Sequence, residues 1–125
     1  MIFVDTSIWI DHFHVGDEEL ATLLVDGKVL IHPFVIGELA LGNLPERTRY
    51  LVMLDQLPRI TSVTDQEVLN LVDRHRLFGR GIGFIDAHLL AGLALTPHVA
   101  LWTRDRRLID AASDLKLVIR PPYQA

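Results

Sequence analysis

The order of apolar segments is the feature that most limits what this chain can fold into. Short, continuously apolar runs at residues 2–4, 29–31, 99–102 and 117–119 alternate with longer segments whose apolar residues recur at helical spacing. Strands without polar alternation are typical of a parallel sheet that helices cover on both faces. With a further, very short strand near Ile60, we predict a three-layer α/β/α fold around a central, mostly parallel sheet of about five strands.

The segments between these runs are predicted to be helices. They occupy residues 17–26, 33–42, 45–56, 84–95 and 104–112, and a further helix follows the capping box Thr64-Asp65-Gln66-Glu67. Pro121 and Pro122 are expected to end the last strand. Because no repeat, low-complexity tract or linker interrupts the 125 residues, we predict a single domain spanning residues 1–125.

Composition narrows the class of protein further. The absence of cysteine excludes a disulfide framework and a thiolate metal site. Asp5 interrupts the first apolar run, and no run approaches the ~20 residues that span a bilayer. We therefore expect a cytoplasmic protein without a membrane segment. The net charge of −4 argues against a surface coated with phosphate-binding side chains. It does not exclude a nucleic-acid enzyme, because an acidic site that holds metal ions supplies positive charge through those ions.

Four carboxylates fall near the ends of predicted strands or helices. Asp5 follows the first strand, Asp105 follows the strand 99–102, Asp86 lies in the first turn of the helix 84–95, and Glu38 is the only charge in the apolar segment 34–42. Ligands bind at the carboxyl ends of strands in open α/β sheets, so we expect all four there. Taken singly, each has a structural alternative, as a helix cap, a helix-dipole partner or, for Glu38, half of a buried salt bridge.

Clustered carboxylates predict a bound cation, because they repel one another without one. All-oxygen ligation selects Mg²⁺ or Mn²⁺ over zinc. A metal held by carboxylates, with positions open for water, suits phosphodiester hydrolysis. Thr6, Ser7 and Thr103 stand beside these acids and are expected to hydrogen-bond to the carboxylates or to a metal-bound water.

An ordered set of motifs carries a family resemblance. The motifs are Asp5-Thr6-Ser7, Glu38, Phe84-Ile85-Asp86-Ala87-His88 and Thr103-Arg104-Asp105. In their order and spacing the chain resembles the PIN-domain family over essentially its whole length, and specifically the VapC-type toxins of toxin–antitoxin pairs. The resemblance implies a metal-dependent endoribonuclease, a homodimer, and silencing by a VapB-type antitoxin. It assigns the Mg²⁺ ligands first to Asp5 and Asp86.

The implied antitoxin needs a surface beside the acidic pocket. The segments 33–42 and 45–56 flank Glu38 and carry apolar residues. We predict that Leu44 and Leu51 are exposed there and contact the antitoxin.

Other classes stay open on the residues alone. A receiver-like regulatory domain also has an acidic Mg²⁺ pocket, but Asp55 does not follow a convincing strand. A haloacid-dehalogenase-like phosphatase needs a second aspartate two residues after Asp5, where Ser7 stands. A non-catalytic PIN-like binding module would share the fold, and the presence of all four acids argues against it.

Overall fold

The fold is an α/β arrangement of four strands and seven helices within residues 1–120, the part of the chain that the computed structural model describes. In chain order the elements are β1 (Ile2–Val4), α1 (Thr6–His14), α2 (Glu18–Val25), β2 (Val29–Leu30), α3 (Pro33–Leu41), α4 (Arg47–Asp55), α5 (Asp65–His75), α6 (Phe84–Ala94), β3 (Ala100–Trp102), α7 (Arg106–Asp114) and β4 (Val118–Ile119). None of these helices is long and apolar enough to cross a membrane. Pro121 and Pro122 lie outside the described residues.

The strands form one parallel sheet in the order β2-β1-β3-β4. The predicted α/β fold with a parallel sheet is therefore confirmed. The segment near Ile60 contributes a single bridge, between Ile31 and Arg59, in place of a full strand. Since Val4 pairs with Trp102 in the two central strands, the residues that follow β1 and β3 emerge side by side.

The core surrounds the central strands, and β1 is buried along its whole length. Trp9 and Trp102, both predicted to fill the core, are buried. The Trp9 ring stacks on Phe13 with a centroid distance of 5.5 Å, and Phe13 stacks on Tyr50 of α4 at 4.1 Å. This aromatic stack packs α1 against α4, so it helps to fix the position of α1, the helix that follows β1.

Side-chain caps decide where several helices begin. The predicted capping box at α5 is confirmed: the Glu67 N–H donates to the Thr64 hydroxyl at 3.1 Å, and the Thr64 N–H donates to the Glu67 carboxylate at 2.9 Å. Asp105 caps α7, which therefore begins at Arg106 and leaves residues 103–105 as a loop after β3. Asp5 caps α1 in the same way, directly after β1. Two of the four candidate acids thus occupy matching positions, each between a central strand and the next helix.

Candidate active site

An open cleft of about 520 Å³ lies where β1 and β3 end. It is lined by Asp5, Thr6, Ser7, Ile10, Glu38, Asp86, Arg104 and Asp105. The structure therefore brings all four candidate acids to one place, from the loops after two central strands and from the helices α3 and α6.

Asp5 connects the two strand ends. Its Oδ1 accepts a hydrogen bond from the Thr6 N–H at 2.8 Å, and its Oδ2 accepts one from the Thr103 hydroxyl at 2.7 Å. Thr103 is buried, and its hydroxyl oxygen also accepts from the Asp105 N–H at 3.1 Å. Because both Asp5 oxygens are hydrogen-bonded, the carboxylate has a fixed orientation between β1 and β3.

Glu38 reaches the cleft from α3, beside the other acids as the sequence predicted. Val35 and Leu39 form the buried side of α3, so Glu38 falls outside that stripe and is exposed. The structural alternative of a buried salt bridge therefore does not apply to it. The Glu38 Oε1 accepts a hydrogen bond from the Thr6 hydroxyl at 2.9 Å, which holds the side chain toward Asp5.

Asp86 is the half-buried acid of the cleft. Burial is the main reason that its pKa is raised to about 6, and the nearby charges of Asp5, Asp105 and Glu38 contribute to the same shift. The repulsion expected from a carboxylate cluster therefore acts on Asp86, in addition to its burial.

Asp105 combines a structural role with its place in the cleft wall. Its Oδ1 accepts hydrogen bonds from the N–H groups of Arg107 at 2.9 Å and Leu108 at 3.3 Å. The helix-cap alternative for this residue is thus observed. The same bonds hold the carboxylate at the cleft, because they fix it to the first turn of α7.

The side-chain atoms of the cleft are of the kind that binds a hard divalent cation, but they are not yet spaced to hold one. Within residues 1–120, no three acidic or histidine side chains stand close enough together to hold an ion as they are now arranged. The carboxylates of Glu38 and Asp5 accept hydrogen bonds from the hydroxyls of Thr6 and Thr103. All the donors are nevertheless carboxylate or hydroxyl oxygens, which Mg²⁺ and Mn²⁺ prefer. A cation would also relieve the repulsion that raises the pKa of Asp86.

Comparison with known proteins decides the family. The profile of the PIN domain matches residues 2–114, nearly the whole chain. This chain belongs to the PIN-domain family. It is 48% identical over 114 residues to Ribonuclease VapC32 of Mycobacterium tuberculosis, with the same figures for the proteins of strains CDC 1551 / Oshkosh and ATCC 25618 / H37Rv, and the match covers 91% of this chain and 92% of each relative. The predicted resemblance to VapC-type proteins is confirmed, and a receiver domain is excluded.

An apolar groove continues from the acidic cleft of this PIN domain. Glu38 lines both, and the exposed side chains of Phe34, Leu41, Phe84 and Ile85 supply the apolar wall of the groove. The sequence pointed to the segment 33–42 as one wall of a docking surface, but it did not indicate these four side chains or the part that α6 plays. We call it the Phe34–Phe84 groove.

The two leucines expected on this surface are elsewhere. Leu44 is buried, with 8% of its surface exposed, and Leu51 is half-buried against the core. The expectation that both are exposed was therefore wrong. Leu44 follows the end of α3 and turns inward, and Leu51 lies on the side of α4 that packs on the core.

The floor of the groove holds a pair that the sequence did not indicate. The His88 Nε2 lies 2.8 Å from the Asp65 Oδ1, and the imidazole is buried between the rings of Phe34 and Phe84, at centroid distances of 5.0 and 4.9 Å. The pair joins α5 to α6. It therefore fixes the helix that carries Asp86.

Proposed function

We propose that this protein is the RNA-cleaving toxin of a VapBC-type toxin–antitoxin pair, acting as a metal-dependent endoribonuclease. The observation that carries the proposal is the cleft in which Asp5, Glu38, Asp86 and Asp105 meet at the ends of β1 and β3. The identity to a protein named Ribonuclease VapC32 supports the choice of RNA as substrate. The substrate also supports the cytoplasm as the site of action, and the match over residues 2–114 supports a single domain, 1–125.

In this proposal the residues have distinct roles. Asp5 and Asp86 would hold Mg²⁺ or Mn²⁺, with Glu38 and Asp105 completing the acidic wall. The bound cation would supply an activated water and neutralise charge on the phosphate. Thr103 and Thr6 hold the carboxylates of Asp5 and Glu38 in place through their hydroxyls, and Ser7, exposed at the cleft, is available to bind water.

Metal dependence is tested by cleavage assays on the purified protein without a partner. We expect cleavage of structured RNA with Mg²⁺ or Mn²⁺, complete loss with excess EDTA, and recovery when the cation is restored in excess. Cleavage that survives EDTA would contradict the metal mechanism. A protein that binds RNA but cleaves none with either cation would favour the non-catalytic binding module.

For the antitoxin we propose the Phe34–Phe84 groove as the docking surface. Its wall is mainly apolar, its charged lining residues are Glu38, Asp65 and Arg47, and it opens into the acidic cleft at Glu38. This combination fits a VapB-type segment with apolar anchors and an arginine that reaches the acids. A homodimer, implied by the VapC-type resemblance, is part of the same proposal, and light scattering on the free protein tests it.

Leu41→Glu is expected to weaken antitoxin binding by about 10-fold or more, because it places a charge on an apolar anchor site. Leu41 is 91% exposed, so the fold should tolerate the change. Val25→Glu is the matched control, since Val25 is 87% exposed and lies on α2, away from the groove. Calorimetric titration of antitoxin into both variants measures the effect. Equal affinities for the two variants would remove the groove as the docking surface.

A further inference from the structure

Arg104 is the one cationic side chain that lines the acidic cleft within residues 1–120. It stands between Thr103 and Asp105, in the loop that follows β3. Its guanidinium contacts the carboxylate of Asp11, on α1 one turn beyond Ser7. The side chains of Arg104 and Asp11 are 59% and 54% exposed, so both partners of this ion pair meet water.

The surroundings of Arg104 match what an RNA strand requires. A cleft with four carboxylates repels a phosphodiester, and a cation at its wall opposes that repulsion. A guanidinium binds phosphate through two parallel hydrogen bonds, in a geometry that lysine does not reproduce. Exposed ion pairs contribute little to stability, so Asp11 holds Arg104 at the wall and releases it at low cost.

We propose that Arg104 binds a backbone phosphate of the RNA strand that enters the cleft, and that Asp11 competes with this phosphate for the guanidinium. The inference rests on the proposed function, because it takes RNA as the substrate. Arg104 is then a substrate-binding residue, and Asp11 is a positioning residue that acts through Arg104.

The first test compares KM with kcat. Arg104→Ala should raise KM by about 10-fold, the value of one charge-assisted contact, with kcat changed far less. Arg104→Lys should restore only part of the affinity. The slope of log RNA affinity against log salt concentration should also become shallower by about one, which corresponds to one lost phosphate contact. Arg106→Ala is the matched control, because Arg106 is exposed in the first turn of α7 and does not line the cleft.

A double-mutant cycle separates competition from general electrostatics. Asp11→Asn should lower KM in the parent, because it frees the guanidinium. In the Arg104→Ala background the same change should have no effect on KM. If Asp11→Asn acts equally in both backgrounds, it acts only by removing negative charge, and the competition is refuted.

Binding measurements keep this inference separate from the proposed function. Anisotropy of fluorescein-labelled total transfer RNA is measured in the Asp86→Asn background without turnover, with and without Arg104→Ala. A weaker complex after Arg104→Ala supports the inference, and unchanged affinity overturns it while leaving the cleavage reaction intact. A parent that binds this RNA through Arg104 but never cleaves RNA would instead overturn the proposed function alone.

Discussion

Asp86→Asn is expected to lower the rate of the proposed metal-dependent RNA cleavage by about 10³-fold or more. The amide keeps the shape of the side chain but loses the charge that would hold the cation. A bound cation supplies several kcal/mol of transition-state stabilisation, which corresponds to a factor of about 10³. Initial rates at saturating RNA and Mg²⁺ measure the loss. Cleavage within a few-fold of the parent would show that Asp86 is not a metal ligand.

The same variant should gain stability when metal is absent, in a pH-dependent way. Below about pH 3 the Asp86 carboxyl is protonated in both the folded and the unfolded protein, so the variant should match the parent. As pH rises, the unfolded chain ionises at its ordinary pKa of 3.8, whereas the folded protein resists ionisation until about 6. Above pH 6 the parent therefore carries a penalty that the variant lacks, about 1–2 kcal/mol after allowance for solvent screening.

Thermal melts with EDTA between pH 3 and 8 test this gain. Asp110→Asn is the control, because Asp110 is exposed on α7 and outside the cleft, so its loss changes only the net charge. Adding Mg²⁺ should stabilise the parent by mass action and the Asp86 variant less. Equal Mg²⁺ shifts in all three proteins would contradict the assignment of Asp86 as a ligand.

Gly92→Ala is expected to destabilise the fold by about 1–3 kcal/mol, because it overpacks a closed interface. Gly92 is buried in α6, and a Cβ there would lie 2.7 Å from the Thr61 carbonyl oxygen and 3.0 Å from the Ile60 Cδ1. A backbone carbonyl has little freedom to retreat. Urea unfolding, compared through midpoint and slope, measures the change.

Gly37→Ala provides the matched control, with the opposite sign. Gly37 is also inside a helix, α3, but a Cβ there meets no atom within 4 Å. Alanine should therefore add about 0.5–1 kcal/mol of stability through helix propensity. If Gly92→Ala also stabilises, the close approach of α6 to the loop at Thr61 is refuted.

The fold could be predicted from sequence largely because its signals are local. The apolar runs at β1 and β3 and the capping box at Thr64 depend on residues close together in the chain. The errors arose where apolar residues are dense. In α3, most positions are apolar, so the sequence does not show which side faces the core, and it left open whether Glu38 was exposed or part of a buried salt bridge. Leu44 and Leu51 were misplaced for a related reason, because neither a position in a loop nor one in a short helix reveals which way the side chain faces.

For the candidate site, too, the sequence predicted the features that depend on nearby residues and missed those that depend on distant ones. The positions of Asp5 and Asp105 follow from strand ends, so the sequence could locate them. Partners across space could not be found, because nothing local links Asp11 to Arg104, 93 residues away, or Asp65 to His88. The roles of the four acids as metal ligands stay a prediction, which the Asp86 variants address.

The pairing of β1 with β3 also sets when the cleft can form during synthesis. Asp5 is made early, but the Thr103 hydroxyl that orients it comes 98 residues later, roughly 5–20 s at ordinary rates of translation. Before residue 100 is added, β1 lacks its central neighbour, and neither Thr103 nor Asp105 yet exists. A nascent chain that ends before Asp105 therefore carries no assembled cleft, and any activity of the cleft has to wait until the last fifth of the chain has been made.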